Sequence, residues 1–173
     1  DILLGLPKQN YCNVKTEIKM LSKLNVNHIS AYMLILEENT KLFNMVESGK
    51  IKLPTDEATV RINDKMFLFL KKLGYNRYEV SNFSRQSYES KHNINYWQLG
   101  EYIGFGCSAH SYFDGKRFYN PHSCKEYYGI IKQNSLPEKF VEEITKDKKV
   151  EEIIMLGLRT AQGASITKLN NLG

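Results

Sequence analysis

The chain has 173 residues, of which 42% are hydrophobic and 25% charged, enough for one ordinary domain or one domain and part of another. This balance excludes a disordered or collagen-like chain, and no apolar run approaches the ~18 residues of a membrane helix. The net charge of +5 comes mostly from lysines scattered in ones and twos, which reads as a solvated surface rather than a nucleic-acid groove.

The first residues, Asp1-Ile-Leu-Leu-Gly-Leu-Pro7, read as a buried strand over 1–6 closed by the proline. The chain opens on this strand with no polar leader or targeting segment, so a fragment is expected. Val14, Ile18, Leu21 and Leu24 fall on one face of a helix over 11–24. Residues 28–36 alternate little and read as a strand covered on both sides. Strand, helix, strand is a βαβ unit with parallel strands and a right-handed crossover.

A short helix follows at 40–48, ended by Gly49. Pro54-Thr-Asp-Glu57 starts another, with Thr55 as N-cap and two acids in the first turn. Ile62, Met66, Phe69, Leu70 and Leu73 form its apolar face, and Gly74 stops it. Tyr75 to Phe83 reads as one strand, and 84–99 as polar and then helical. Strands are expected from Tyr102 to Phe113 and from Arg117 to Tyr119, joined by a turn at Asp114-Gly115. Past Asn120-Pro121, helices are expected at 123–133, at 146–159 with Thr145 as N-cap, and from about Ser165. A domain boundary is placed near residue 120.

Several residues could carry chemistry. Asp1 heads a strand, and polar groups near the carboxyl end of barrel strands line active sites. Glu37 and Glu38 follow the second strand; paired acids serve acid–base work, but more often they cap a helix or face water. In Tyr78-Glu-Val-Ser-Asn-Phe83, alternation puts Glu79 and Ser81 on one face with Phe83, which allows either a polar cavity or a solvated face. On a helix, His92 and Tyr96 of His92-Asn-Ile-Asn-Tyr-Trp97 share a face, with Trp97 one step round. An imidazole beside large aromatics suits an iron-porphyrin; the plainer reading is a capped helix whose Trp fills the core. Gly104-Phe-Gly-Cys-Ser-Ala-His110 has small residues that let a ligand approach the backbone, with His110 close after them. His28 and His122 read as structural.

Cys12, Cys107 and Cys124 form no CxxC pair, so neither a zinc ribbon nor a disulfide framework is expected, and reduced thiols fit best. Cys107 reads as a small buried residue.

Taken together, Asp1-Ile-Leu-Leu-Gly-Leu-Pro7, His28-Ile-Ser-Ala-Tyr32, Glu37-Glu-Asn-Thr40, Gly74-Tyr75, Tyr78-Glu-Val-Ser-Asn-Phe83, His92-Asn-Ile-Asn-Tyr-Trp97, Tyr102-Ile-Gly-Phe-Gly-Cys-Ser-Ala-His-Ser111 and Met155-Leu-Gly-Leu-Arg159 resemble the HemN/HemW family of radical S-adenosylmethionine proteins. The resemblance spans essentially the whole chain. It implies an α/β fold: the C-terminal part of a partial TIM-type (β/α)6 radical SAM barrel with a sheet extension over 1–120, then the start of a mainly helical C-terminal domain over 121–173. The HNxxYW motif and Tyr-Glu-Val-Ser-Asn-Phe resemble the HemW branch, whose family role is that of a haem chaperone. The alternative is the oxygen-independent coproporphyrinogen III oxidase.

The same resemblance implies site residues. Asp1 matches the aspartate that contacts S-adenosylmethionine. Ile35 and His110 fall where the oxidase surrounds that cofactor, with different side chains. His92 is the haem-ligand candidate, with Tyr96 and Trp97 nearby. The family's CxxxCxxC motif for its [4Fe–4S] cluster is absent, so the cluster ligands are expected upstream of Asp1, and this piece alone is not expected to be active. The implied partners are haem and haem-accepting proteins in the cytoplasm, without nucleic acid or a transmembrane segment; peripheral membrane contact and a homodimer stay open. Poor solubility in isolation is expected, because half a barrel exposes parallel-strand edges.

Overall fold

The computed structural model describes residues 1–137 and 139–172, with the backbone alone at Phe140. The chain divides into two compact units, Asp1–Ser90 and Lys91–Gly173.

The first unit contains β1 (Ile2–Leu4), α1 (Tyr11–Lys23), β2 (His28–Met33), α2 (Lys41–Glu47), α3 (Asp56–Lys72), β3 (Asn76–Arg77) and β4 (Asn82–Ser84). Its sheet has the order β1-β2-β4-β3 among the described residues. The expected βαβ unit is present: β1 and β2 run parallel in the register Ile2↔Ala31 and Leu4↔Met33. Both strands are shorter than expected, because Gly5 turns the chain at φ +86 and β2 ends at Met33.

Local chemistry explains the helices. Asn10 caps α1 in a reciprocal capping box with Asn13. Thr55 caps α3, which carries Asp56 and Glu57 at its positive end and Lys71 and Lys72 at its negative end. Past α3, Gly74 N–H donates to Lys71 and Tyr75 N–H to Leu70, both over about one helical turn, closing a Schellman motif around Gly74 at φ +84. Val14, Ile18, Ile62, Met66 and Leu70 bury against Ile2, Leu4, Ile29, Ala31 and Phe83 of the sheet. Alternation then places Leu3, Ser30, Tyr32, Asn82 and Ser84 on the opposite face.

The segment 75–83 is not one strand. β3 and β4 pair antiparallel, with Arg77↔Phe83, so the chain reverses between them. Tyr78 N–H donates to the Asn82 carbonyl at 3.2 Å, and the Glu79 carboxylate accepts from Ser81 N–H at 3.2 Å. Glu79 bonding its own backbone two residues on offers an alternative to a strand ladder, and that local bond bends the chain.

The second unit contains α4 (Lys91–Trp97), β5 (His110–Phe113), β6 (Lys116–Tyr119), α5 (Cys124–Lys132), β7 (Lys139–Glu143), α6 (Lys146–Gly157) and α7 (Ile166–Asn170). β5, β6 and β7 form an antiparallel sheet in that order. The hairpin at Asp114-Gly115 is as expected, with both residues at positive φ as a type I′ turn requires. The caps Ser123, Thr145 and Ser165 start α5, α6 and α7.

The expected strand from Tyr102 to Phe113 is interrupted. Tyr102 bridges to Tyr112, and Gly104 to Ala109 loop out before β5. β7 was not expected; it pairs with β6 through Arg117↔Glu142 and Phe118↔Val141. Residue 120 lies inside the second unit. Asn120 N–H donates to the Ala109 carbonyl, and its side chain donates to the carbonyls of Gly104 and Gly106. These bonds tie the stretch before α5 back to the glycine-rich loop.

Candidate functional site

The helical spacing of His92 and Tyr96 brings them together on α4. Their ring centroids are 4.7 Å apart with planes at 88°. Tyr96 in turn meets Tyr102 edge-on at 4.5 Å and 77°. Such T-shaped contacts place a ring's positive edge on a partner's negative face. The His92 imidazole is exposed at the end of this row. An exposed imidazole with an aromatic neighbour can ligate a metal through one nitrogen while a ring fixes its tilt.

Trp97 points elsewhere. Its indole Nε1 is buried without a hydrogen-bond partner, and the Arg159 guanidinium lies 5.4 Å from the ring centroid. Trp97 lines a cavity of about 250 Å³ with Ile94, Leu99, Ile153 and Lys168. Its role is closer to the plainer reading of a core-filling Trp than to that of a wall beside His92.

In the first unit the sheet face opposite the helices is polar. Ser30 pairs with Asn82 and His28 with Ser84. Asp1 precedes Ile2, so the parallel register puts it level with Ser30. Glu79 and Asn82 are only 2% and 3% exposed, yet Glu79 Oε2, Asn82 Oδ1 and Ser84 Oγ have no hydrogen-bond partner. The expected grouping of Glu79, Ser81 and Phe83 does not hold, because the reversal at 78–81 breaks the alternation. Asn82 and Ser84 take that polar face instead, and Phe83 enters the core against Phe67.

Beside this face, His28 Nε2 lies 2.8 Å from the Tyr78 hydroxyl, which accepts from Ser90 N–H at 3.3 Å. The donor between this hydroxyl and His28 Nε2 is set by the imidazole tautomer. Burial holds the His28 pKa below its usual value, and the Glu79 carboxylate opposes this.

The other expected site residues are dispersed. Asp1 is exposed at the amino end of β1. Ile35 is 76% exposed, two residues beyond the carboxyl end of β2. With Asp1 level with Ser30, about five residues of strand, or roughly 16 Å, separate them along the sheet. The structure does not bring these two together. His110 belongs to the second unit, where it starts β5 exposed and its ring lies 5.2 Å from that of Tyr119. Glu37 and Glu38 are exposed ahead of α2, and the Glu37 carbonyl accepts from the Thr40 cap.

No group of three or more His, Cys, Asp or Glu that could hold a metal ion exists among the described residues. The thiols of Cys12, Cys107 and Cys124 form no such group, so they do not fit an iron–sulfur cluster. Cys107 is not fully buried as expected; its thiol donates to Cys124 Sγ at 3.1 Å. Sequence reasoning also missed the His28–Tyr78 pair, since fifty residues separate its members.

No family model matches the chain. Curated relatives do. The chain is 34% identical over 165 residues to the haem chaperone HemW of Bacillus subtilis, covering 95% of this chain and 44% of that protein. It is 35% identical over 172 residues to HemW of Lactococcus lactis, covering 99% and 45%. A mitochondrial radical S-adenosyl methionine domain-containing protein 1 of Danio rerio is 32% identical over 94% of this chain and 38% of its own length. Among solved structures, coproporphyrinogen III oxidase (HemN) from Escherichia coli, a radical SAM enzyme, superposes with a TM-score of 0.71 at 20% identity. That match covers 91% of this chain and 39% of that one. The chain thus spans less than half the length of these relatives. Its mixed α/β fold is that of a radical SAM protein. In sequence and fold together, the chain belongs to the HemN/HemW family.

Proposed function

We propose that this chain is part of a HemW-like haem chaperone that binds haem through His92 and hands it to haem-accepting proteins. The observation that carries this reading is the exposed His92 imidazole, held edge-on by Tyr96, which rests on Tyr102. The first-named relatives, two HemW haem chaperones, match over 95% and 99% of the chain and support it.

The same reading includes S-adenosylmethionine and a [4Fe–4S] cluster in the whole protein. Asp1 fits the cofactor to the extent that its exposed carboxylate stands on the polar sheet face beside Ser30, where it can accept hydrogen bonds. The cluster has no fitting ligands among the described residues, and they are assigned outside residues 1–173. Placement in the cytoplasm belongs to the same proposal; no helix of the described residues is long and apolar enough to cross a membrane.

The test is titration of the whole protein with haem, followed by the Soret band. His92→Ala is expected to shift the band and weaken binding at least about tenfold, the loss of roughly one ligand's 1.4 kcal/mol. An unchanged band and affinity would remove His92 from the account. His122→Gln, whose ring bonds Ser108 instead, serves as the control and leaves both unchanged. Conversion of coproporphyrinogen III by the whole protein would favour the oxidase instead.

A further inference from the structure

Cys107 and Cys124 are 17 residues apart in sequence, and their sulfurs lie 3.1 Å apart. The covalent distance is about 2.05 Å, so closure needs a movement of about 1 Å. Both backbones are held on either side of the pair. Gly106 N–H donates to the Tyr127 hydroxyl at 3.2 Å, and the Gly106 carbonyl accepts from Asn120 at 2.9 Å. Ser108 N–H donates to the Pro121 carbonyl at 3.0 Å, and Ser108 Oγ meets His122 Nδ1 at 2.9 Å. Cys124 is the first residue of α5, after the Ser123 cap. The loop bearing Cys107 and the helix bearing Cys124 therefore keep the sulfurs adjacent.

We propose that Cys107 and Cys124 form a reversible thiol-oxidation site, at which peroxide makes a disulfide that pins the Gly104–Ser108 loop to the start of α5. Exposure assigns the roles. Cys107 donates to Cys124 Sγ and is the less exposed of the two. Cys124 is the acceptor and the more exposed of the two, so it meets the oxidant first. The Cys124 thiolate attacks one peroxide oxygen, the O–O bond breaks, hydroxide leaves, and a sulfenic acid remains. The Cys107 sulfur then attacks that sulfenic sulfur. An S–S bond forms, the S–O bond breaks, and water leaves with the Cys107 proton. Two thiols have lost two electrons to the peroxide, and a dithiol reductant restores them by exchange.

The loop pinned in this way carries Phe105 at its tip, 86% exposed. Reduced, it is held by hydrogen bonds alone; oxidised, it gains a covalent tie, so the oxidation state governs how far this loop can move.

Cys12 provides an internal reference, since it is exposed on α1 of the other unit. The full chain is treated with hydrogen peroxide, alkylated and mapped by mass spectrometry without reduction. The expected result is one cross-linked peptide pair holding Cys107 and Cys124, two hydrogens lighter than the sum and reversed by dithiothreitol. Cys12 stays available to the alkylating agent. In Cys107→Ser, dimedone should trap a sulfenic acid at Cys124; in Cys124→Ser, the cross-link is lost and Cys107 remains alkylatable. Cys107 and Cys124 that both alkylate freely after peroxide would overturn the proposal. So would a cross-link that joins Cys12 as readily.

Discussion

Arg117 on β6 donates from both terminal nitrogens to the two carboxylate oxygens of Glu152 on α6, at 2.9 and 3.0 Å. Glu142 of β7 lies 3.6 Å from the same guanidinium, which also sits 5.8 Å from the centroid of the Tyr112 ring. One side chain thereby ties the sheet of the second unit to its main helix. The Glu152 hydrogen bond raises the Arg117 pKa, so the guanidinium keeps its charge.

Arg117→Ala is expected to destabilise the second unit. A buried fork would be worth about 1.5–3 kcal/mol. Arg117 is about a third exposed, so solvent screening cuts this to roughly 1 kcal/mol. Arg117→Lys should recover only part of it, because an ammonium cannot fork across two oxygens. Urea denaturation reads the difference as a lower midpoint at unchanged slope. Full stability in the lysine variant would show that the fork geometry contributes nothing.

His28 makes acid stability predictable in sign. Its folded pKa lies below the ordinary 6.5, with burial as the leading cause. Below pH 6.5 the unfolded chain takes up a proton that the folded chain resists. Stability should therefore fall as pH drops through 6.5 toward the folded value, and be fully present above 6.5. Melting temperatures from pH 5 to 8 test this, and His28→Gln should flatten that part of the profile. Glu79→Gln removes the opposing charge, so the His28 ring resonance should titrate at still lower pH. A resonance that titrates higher in Glu79→Gln would contradict the assignment.

Gly104, in the loop before β5, and Gly115, in the hairpin after it, should differ sharply in tolerance. A Cβ at Gly104 would lie 2.3 Å from the His110 carbonyl oxygen, and backbone cannot step aside cheaply. Gly104→Ala is expected to open the Tyr102–Tyr112 bridge at a cost of about 2 kcal/mol or more. Gly115 has open space around it and only its φ of +71 to protect, so Gly115→Ala should cost about 1 kcal/mol. Thermal melts of the two variants side by side check the order; equal losses would mean that the close approach at Gly104 is relieved by loop movement.

What the sequence made legible follows from the range of each interaction. The helices α1, α3 and α6 were readable because caps, glycine stops and apolar spacing act within a turn or two. The Asp114-Gly115 hairpin was readable for the same reason. The reversal at 78–81 was not, since Glu79 has to leave the strand ladder to bond Ser81, and strand-forming neighbours hide that choice. β7 was missed because its identity comes from pairing with β6, some twenty residues earlier. In the candidate site, His92 and Tyr96 were legible from helical spacing, whereas Tyr102 joins them only through tertiary folding. The buried, unpartnered oxygens of Glu79, Asn82 and Ser84 were illegible because the faces of this sheet depend on where the reversal falls.

Tyr96 offers the most discriminating test of the aromatic row. If its ring holds the His92 imidazole at the angle needed for haem, the hydroxyl is dispensable and the ring is not. Edge-to-face pairs contribute about 0.5–1.5 kcal/mol each, and Tyr96 makes two of them. Tyr96→Phe should then bind haem with unchanged affinity and Soret position. Tyr96→Leu should lose roughly threefold to tenfold in affinity, with helix content unchanged by circular dichroism, since leucine suits a helix at least as well. Equal binding by both variants would reduce Tyr96 to a packing residue and leave His92 to act without a positioning neighbour.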